Sequence, residues 1–118
     1  MSEVELADRE CKACTSEDEP ITGEALRELY EQIDTDVWSI VDEHHLEGEY
    51  EFEDFRDALE FTKEVGELAE EEWHHPDIHL AWGEVRIEMW THKIDGLHEA
   101  DFVMAARMDR MYESYRPE

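Results

Sequence analysis

The chain has 118 residues and a mass of 14.0 kDa, the size of one ordinary domain. Its four Trp, four Tyr and four Phe, within 41% hydrophobic residues, supply one core and argue against wholesale disorder. Ten Lys+Arg against 35 Asp+Glu leave a net charge of −25, which argues against binding nucleic-acid phosphates or an anionic membrane surface.

Residues 1–20 read as a polar lead-in with little regular structure, and residues 21–118 as a single domain. From Thr22, a plausible N-cap followed by Glu24, the apolar residues Ala25, Leu26, Leu29 and Ile33 fall on one helical face. Val37 to Val41 predicts a short strand. Leu46-Glu47-Gly48-Glu49 reads as a turn, and Tyr50-Glu51-Phe52 resumes the alternation to complete a hairpin. Asp54, with Asp57 as reciprocal cap, opens a second helix whose stripe is Phe55, Ala58, Leu59, Thr62, Val65 and Ala69. That helix should stop near Trp73, ahead of Pro76. A second hairpin follows from Asp77 to Trp82 and Glu84 to Thr91, turning at Gly83. Asp95-Gly96 then leads to a last helix from Glu99 to Tyr115. Its apolar residues Phe102, Val103, Ala106, Met108, Met111 and Tyr115 spread widely, which fits either a broad core face or a subunit contact. The order α-β-β-α-β-β-α, with two hairpins and no parallel crossover, is an α+β pattern.

With lysine restricted to Lys12, Lys63 and Lys93, the acidic surface reads as that of a protein working in concentrated salt, the alternative being a merely soluble acidic protein. In such salt the Debye length falls to about 3 Å at 1 M and self-repulsion is screened. No apolar run approaches the roughly 18 residues that span a bilayer, and Met1-Ser2-Glu3-Val4-Glu5 lacks the features of a signal peptide. A cytoplasmic location is expected. Cys11 and Cys14 form one C-x-x-C, which is open to three readings: an incidental pair, a disulfide, or half of a metal site shared across an oligomer.

The seven histidines carry the chemical interest. His74-His75-Pro76 lies where the second helix ends, and proline restricts His75 to extended geometry. His92 follows the next hairpin. Antiparallel neighbours can bring His74, His75 and His92 to one sheet edge, where imidazoles titrating near pH 6.5 can hold a general acid and a general base together. Glu70, one helical turn before His74, can orient an imidazole. Asp101, near N3 of the last helix, can cap it. The same cluster could instead hold a metal, completed by Glu70 or Asp101, or be simply structural. His44-His45 has no companion motif and reads as an exposed pair, and His79 faces either solvent or the site. Trp38, Trp82 and Trp90 are core residues or platforms for a flat heteroaromatic ligand.

Glu70-x3-His74-His75-Pro76, five residues, Trp82, nine residues, His92, eight residues, Asp101 resembles the signature of pterin-4a-carbinolamine dehydratases. The likeness extends upstream to Trp38 and to Tyr50-x-Phe52-x-Asp54-Phe55, covering roughly Ile21 to Tyr112. It implies a four-stranded antiparallel sheet with three helices on one face, and a homodimer or homotetramer. The implied reaction is loss of water from 4a-hydroxytetrahydropterin to give quinonoid dihydropterin. The pterin is substrate, and no cofactor or metal is implied. His74, His75 and His92 match the family's active-site histidines, with Glu70 and Asp101 supporting and Trp38, Pro76 and Trp82 against the substrate. This chain departs from the pattern in two places. Asp95-Gly96-Leu97-His98 stands where the family has two glycines and a hydroxyl cap, and Trp73 stands where a polar residue is common. A non-catalytic interaction module of the same fold and a His-cluster metalloprotein are the competing readings.

Overall fold

Among the described residues of the computed structural model, 6–8 and 19–116, the expected order appears as three α-helices and four strands. They are α1 (Gly23–Tyr30), β1 (Trp38–Val41), β2 (His45–Glu51), α2 (Phe55–Glu72), β3 (Asp77–Ala81), β4 (Glu84–Met89) and α3 (Glu99–Tyr112). Cys11 and Cys14 lie outside the described residues. Leu6–Asp8, inside the expected lead-in, forms a short 3-10 turn.

The two hairpins join through β2 and β4, giving one antiparallel sheet of order β1-β2-β4-β3. Strand periodicity decides its two faces. Trp38, Leu46, Tyr50, Val85, Ile87 and Met89 are buried on the side that carries the helices. On the opposite face Glu47, Glu49, Arg86 and Glu88 are exposed or half-buried.

Asp54 caps α2 by accepting the Asp57 N–H at 2.9 Å, and the helix ends at Trp73 in the left-handed region, φ 52°. Its buried face differs from the expected stripe: Phe55 is exposed and Leu59 half-buried, while Phe61 and Leu68 join Ala58, Val65 and Ala69 inside. The axis is rotated so that Phe61 meets Tyr50 and Phe52, with ring centroids 4.8 and 5.2 Å apart. On α1, Leu26 is buried but Ala25 is exposed. Thr22 holds the N-cap position without a side-chain bond, and the Glu43 carboxylate instead accepts the Gly23 N–H at 3.1 Å.

The first hairpin turns earlier than expected. Asp42 and Glu43 both have positive φ, 53° and 54°, and the His44 N–H closes the turn on the Val41 carbonyl at 2.9 Å. This is the primed turn that matches strand twist. Leu46 to Glu49 are strand instead. Gly48 lies opposite Trp38, where an added Cβ would stand 2.6 Å from the indole. The glycine makes room for the ring rather than for a turn.

Helix α3 stops at Tyr112, and Tyr115 follows in a tighter turn whose N–H bonds the Tyr112 carbonyl at 2.8 Å. Its wide apolar surface is covered from within the chain: residues 100–106 are all buried. On its outer side Arg107 reaches the Ala7 carbonyl and Glu72, and Arg110 pairs with Asp8 at 2.8 Å.

Candidate active site

The left-handed residue at Trp73 reverses the chain at the end of α2 and sends His74 inward. There its Nε2 lies 2.6 Å from Asp101 Oδ1, with the His74 side chain 14% and Asp101 0% exposed. The other carboxylate oxygen of Asp101 accepts the Thr91 hydroxyl at 2.7 Å and the His98 N–H at 2.9 Å. Asp101 thus caps α3 without a hydroxyl at residue 98, and at the same time ties the end of β4 to His74. With Asp101 as a carboxylate accepting from three donors, the His74 proton sits on Nε2 and Nδ1 of that ring carries none.

His75 is more open. Its Nε2 lies 2.6 Å from Glu70 Oε2, and the indole of Trp73 meets its ring edge-on at 4.9 Å. His92 begins a 3-10 turn, His92–Ile94, immediately after Thr91, and its ring packs on Trp90 at 4.6 Å. That turn is closed by the Thr91 N–H to the Gly96 carbonyl at 2.8 Å. Pro20 fills the space beside Gly96, where a Cβ would stand 2.7 Å from it. Asp101 therefore bonds His74 directly and holds Thr91, the residue before His92, while the exposed side chains of His75 and His92 lie against Glu70 and Trp90 respectively. Half-buried Pro76 separates His74 and His75 from β3.

Two of the candidate substrate contacts lie elsewhere. Trp38 is 0% exposed, with its Nε1 donating to Asp109 at 2.9 Å and to the Tyr50 hydroxyl at 3.1 Å, so it is a core residue rather than a platform. Trp82 is 72% exposed at the β3–β4 turn, the far end of β3 from His75. There it borders a groove with Phe52 and Glu84, away from the histidines within this chain. The indoles against the motif histidines are Trp90, on His92, and Trp73, on His75. His44 and His45, read as an exposed pair, are half-buried against Trp90, with centroids 5.3 and 5.9 Å away. His79 is exposed on β3. Among the described residues, no three His, Cys, Asp or Glu side chains are grouped to hold a metal ion.

Asp109 escaped sequence reasoning altogether. It accepts the Tyr50 hydroxyl at 2.6 Å, the Trp38 indole N–H at 2.9 Å and the Asp34 N–H at 2.9 Å. Burial pushes its carboxyl above the usual range despite these donors. Burial and the Asp109 charge lift the Tyr50 phenol well above its ordinary value. An acidic residue in a helix of an acidic chain carries no local signal of such a role.

The pterin 4 alpha carbinolamine dehydratase family model matches residues 19–111. The chain is 51% identical over 107 residues to a protein of Rubrobacter xylanophilus with the provisional name pterin-4-alpha-carbinolamine dehydratase, covering 91% of this chain and 98% of that one. A protein of Alkaliphilus metalliredigens with the same provisional name is 43% identical over 105 residues, covering 89% and 94%. The crystal structure of a transcriptional coactivator/pterin dehydratase from Brucella melitensis superposes with a TM-score of 0.73. It is 28% identical and covers 78% of this chain and 97% of that one. This chain belongs to the pterin 4 alpha carbinolamine dehydratase family.

Proposed function

We propose that the protein dehydrates 4a-hydroxytetrahydropterin to quinonoid dihydropterin and water by imidazole acid/base catalysis. In this step the C4a–O bond breaks as the hydroxyl takes a proton. N5 gives up its proton to a base, and the freed N–H pair forms the C4a=N5 double bond. The balance closes with two proton transfers and no cofactor. The observation that supports this is the pair of imidazole–carboxylate couples, His74–Asp101 and His75–Glu70, with His92 on a turn hung from the same Asp101 through Thr91. Each carboxylate holds one ring nitrogen and leaves the other for the substrate. One positioned proton-transfer group is worth about 10²–10⁴ in rate.

The same reading carries a cytoplasmic homo-oligomer of at least twice 14.0 kDa. A turnover assay with 4a-hydroxytetrahydropterin tests the proposal. His75→Ala and His92→Ala should each lower kcat by one to a few orders of magnitude, and EDTA should leave the rate unchanged. Activity lost to chelation and restored by zinc would hand the site to a metal. The Brucella structure's description couples coactivator with dehydratase, so an interaction role is the second reading. An inert turnover assay would favour it.

A further inference from the structure

The first hairpin reaches the site by a route that the motif does not contain. Its turn is made by Asp42 and Glu43, both at positive φ without glycine, a conformation that costs roughly 1 kcal/mol or more per residue unless its surroundings enforce it. Two contacts do so. Glu43 takes the Gly23 N–H of α1 at 3.1 Å, and His44 Nε2 lies 2.8 Å from Asp95 Oδ1. Asp95 is the residue whose N–H closes the His92–Ile94 turn on the His92 carbonyl at 3.2 Å. From the other side, the His44 ring lies 5.3 Å from Trp90, whose indole packs on His92 at 4.6 Å. His45 backs both, with Nδ1 3.1 Å from His44 Nδ1 and its ring 5.9 Å from Trp90. His44 therefore grips the His92 segment twice, by hydrogen bond behind it and by ring packing before it.

We propose that His44 is a positioning residue for the dehydration, acting through Asp95 and Trp90 to hold the His92 ring in place. The inference rests on the proposed function and adds to it a residue outside the family signature. Because Asp95 is exposed, the grip is modest, and the expected effect is a fall in kcat of about tenfold.

The test is a cycle of His44→Ala, His92→Ala and the double variant, with kcat, KM and thermal midpoint read for each. His44→Ala should lower kcat about tenfold with KM changed less than about twofold. His44→Gln, which restores a donor toward Asp95, should recover most of the loss. In the His92→Ala background, His44→Ala should cost nothing further. Asp95→Asn gives a second variant should His44→Ala unfold, with an expected loss of about threefold, and exposed His79→Ala should match the wild type. Equal losses from His44→Ala in both backgrounds, or none in either, would overturn the positioning. If the wild type does not turn over the pterin, the functional reading falls. The inference is then judged by imidazole NMR: His44→Ala must shift the His92 ring resonances and leave those of His75 in place, and unmoved His92 resonances refute it.

Discussion

Replacing Asp101 with asparagine separates charge from shape at the junction of the site. The aspartate takes donors from His74 at 2.6 Å, Thr91 at 2.7 Å and His98 at 2.9 Å, and it is 0% exposed. Asparagine has one acceptor oxygen and one NH₂ group. Oriented to keep Thr91 and the His98 N–H, it turns its NH₂ toward His74 Nε2, because the reverse orientation sets amide hydrogens against a backbone donor. His74 must then carry its own proton on Nδ1, the atom that the mechanism needs for exchange. A hydrogen bond to a charged group contributes about 1.5–3 kcal/mol and a neutral one about 1 kcal/mol, so the net stability loss is about 1–2 kcal/mol. For a domain of this size that lowers Tm by roughly 5–10 °C. Catalysis should suffer more. An inverted tautomer costs up to about 10⁴ in the serine-protease triad, and with three histidines sharing the work here a loss of about 10² in kcat is expected. Steady-state turnover, calorimetry and long-range ¹H–¹⁵N imidazole spectra read the three quantities together. A variant that folds, shows the inverted His74 tautomer and keeps the wild-type kcat would refute a proton-transfer role for His74. An unchanged tautomer would refute the bonding scheme itself.

Three further outcomes follow from the packing. Gly48→Ala should destabilise by about 2 kcal/mol or more, read as a fall in the urea midpoint, because its Cβ meets the Trp38 ring at 2.6–2.8 Å and that ring is held by Asp109. The thermal midpoint should rise from dilute buffer to molar KCl. The exposed sheet face sets Glu47 and Asp77 opposite Glu88, and Glu51 opposite Glu84, within a chain of net charge −25; a flat midpoint would discard the salt-adapted reading. Asp109 is held above its unfolded value, so the folded state keeps extra protons and this group's contribution to stability falls as pH rises from about 4 through the raised value. The stability gap between wild type and Asp109→Asn should accordingly narrow as pH rises over that window in urea titrations, and a widening gap would contradict it.

What the sequence determined by itself is whatever its neighbours within a few residues decide. Asp54 and Pro76 bracket α2, Gly83 turns the second hairpin with φ 71°, and Asp95 leads into α3. Hydrophobic period and capping give the order of helices and strands, and the motif spacing brings forward His74, His75, His92, Glu70 and Asp101 as candidates. The tertiary structure decided what depends on a partner far along the chain. Gly48 looks like a turn until Trp38 is laid across it, and the real turn, Asp42–Glu43, lacks the glycine that would announce it. Trp38 lies in the core, where Asp109, 71 residues on, receives its N–H, and the indoles that pack on motif histidines are Trp90 and Trp73. His44 changed from a surface residue to a neighbour of the His92 turn through Asp95, 51 residues away. Backbone period and capping are local energies that a short window contains. The pairing of side chains across 27 residues, as for His74 and Asp101, exists only once sheet register and helix packing have brought the elements together.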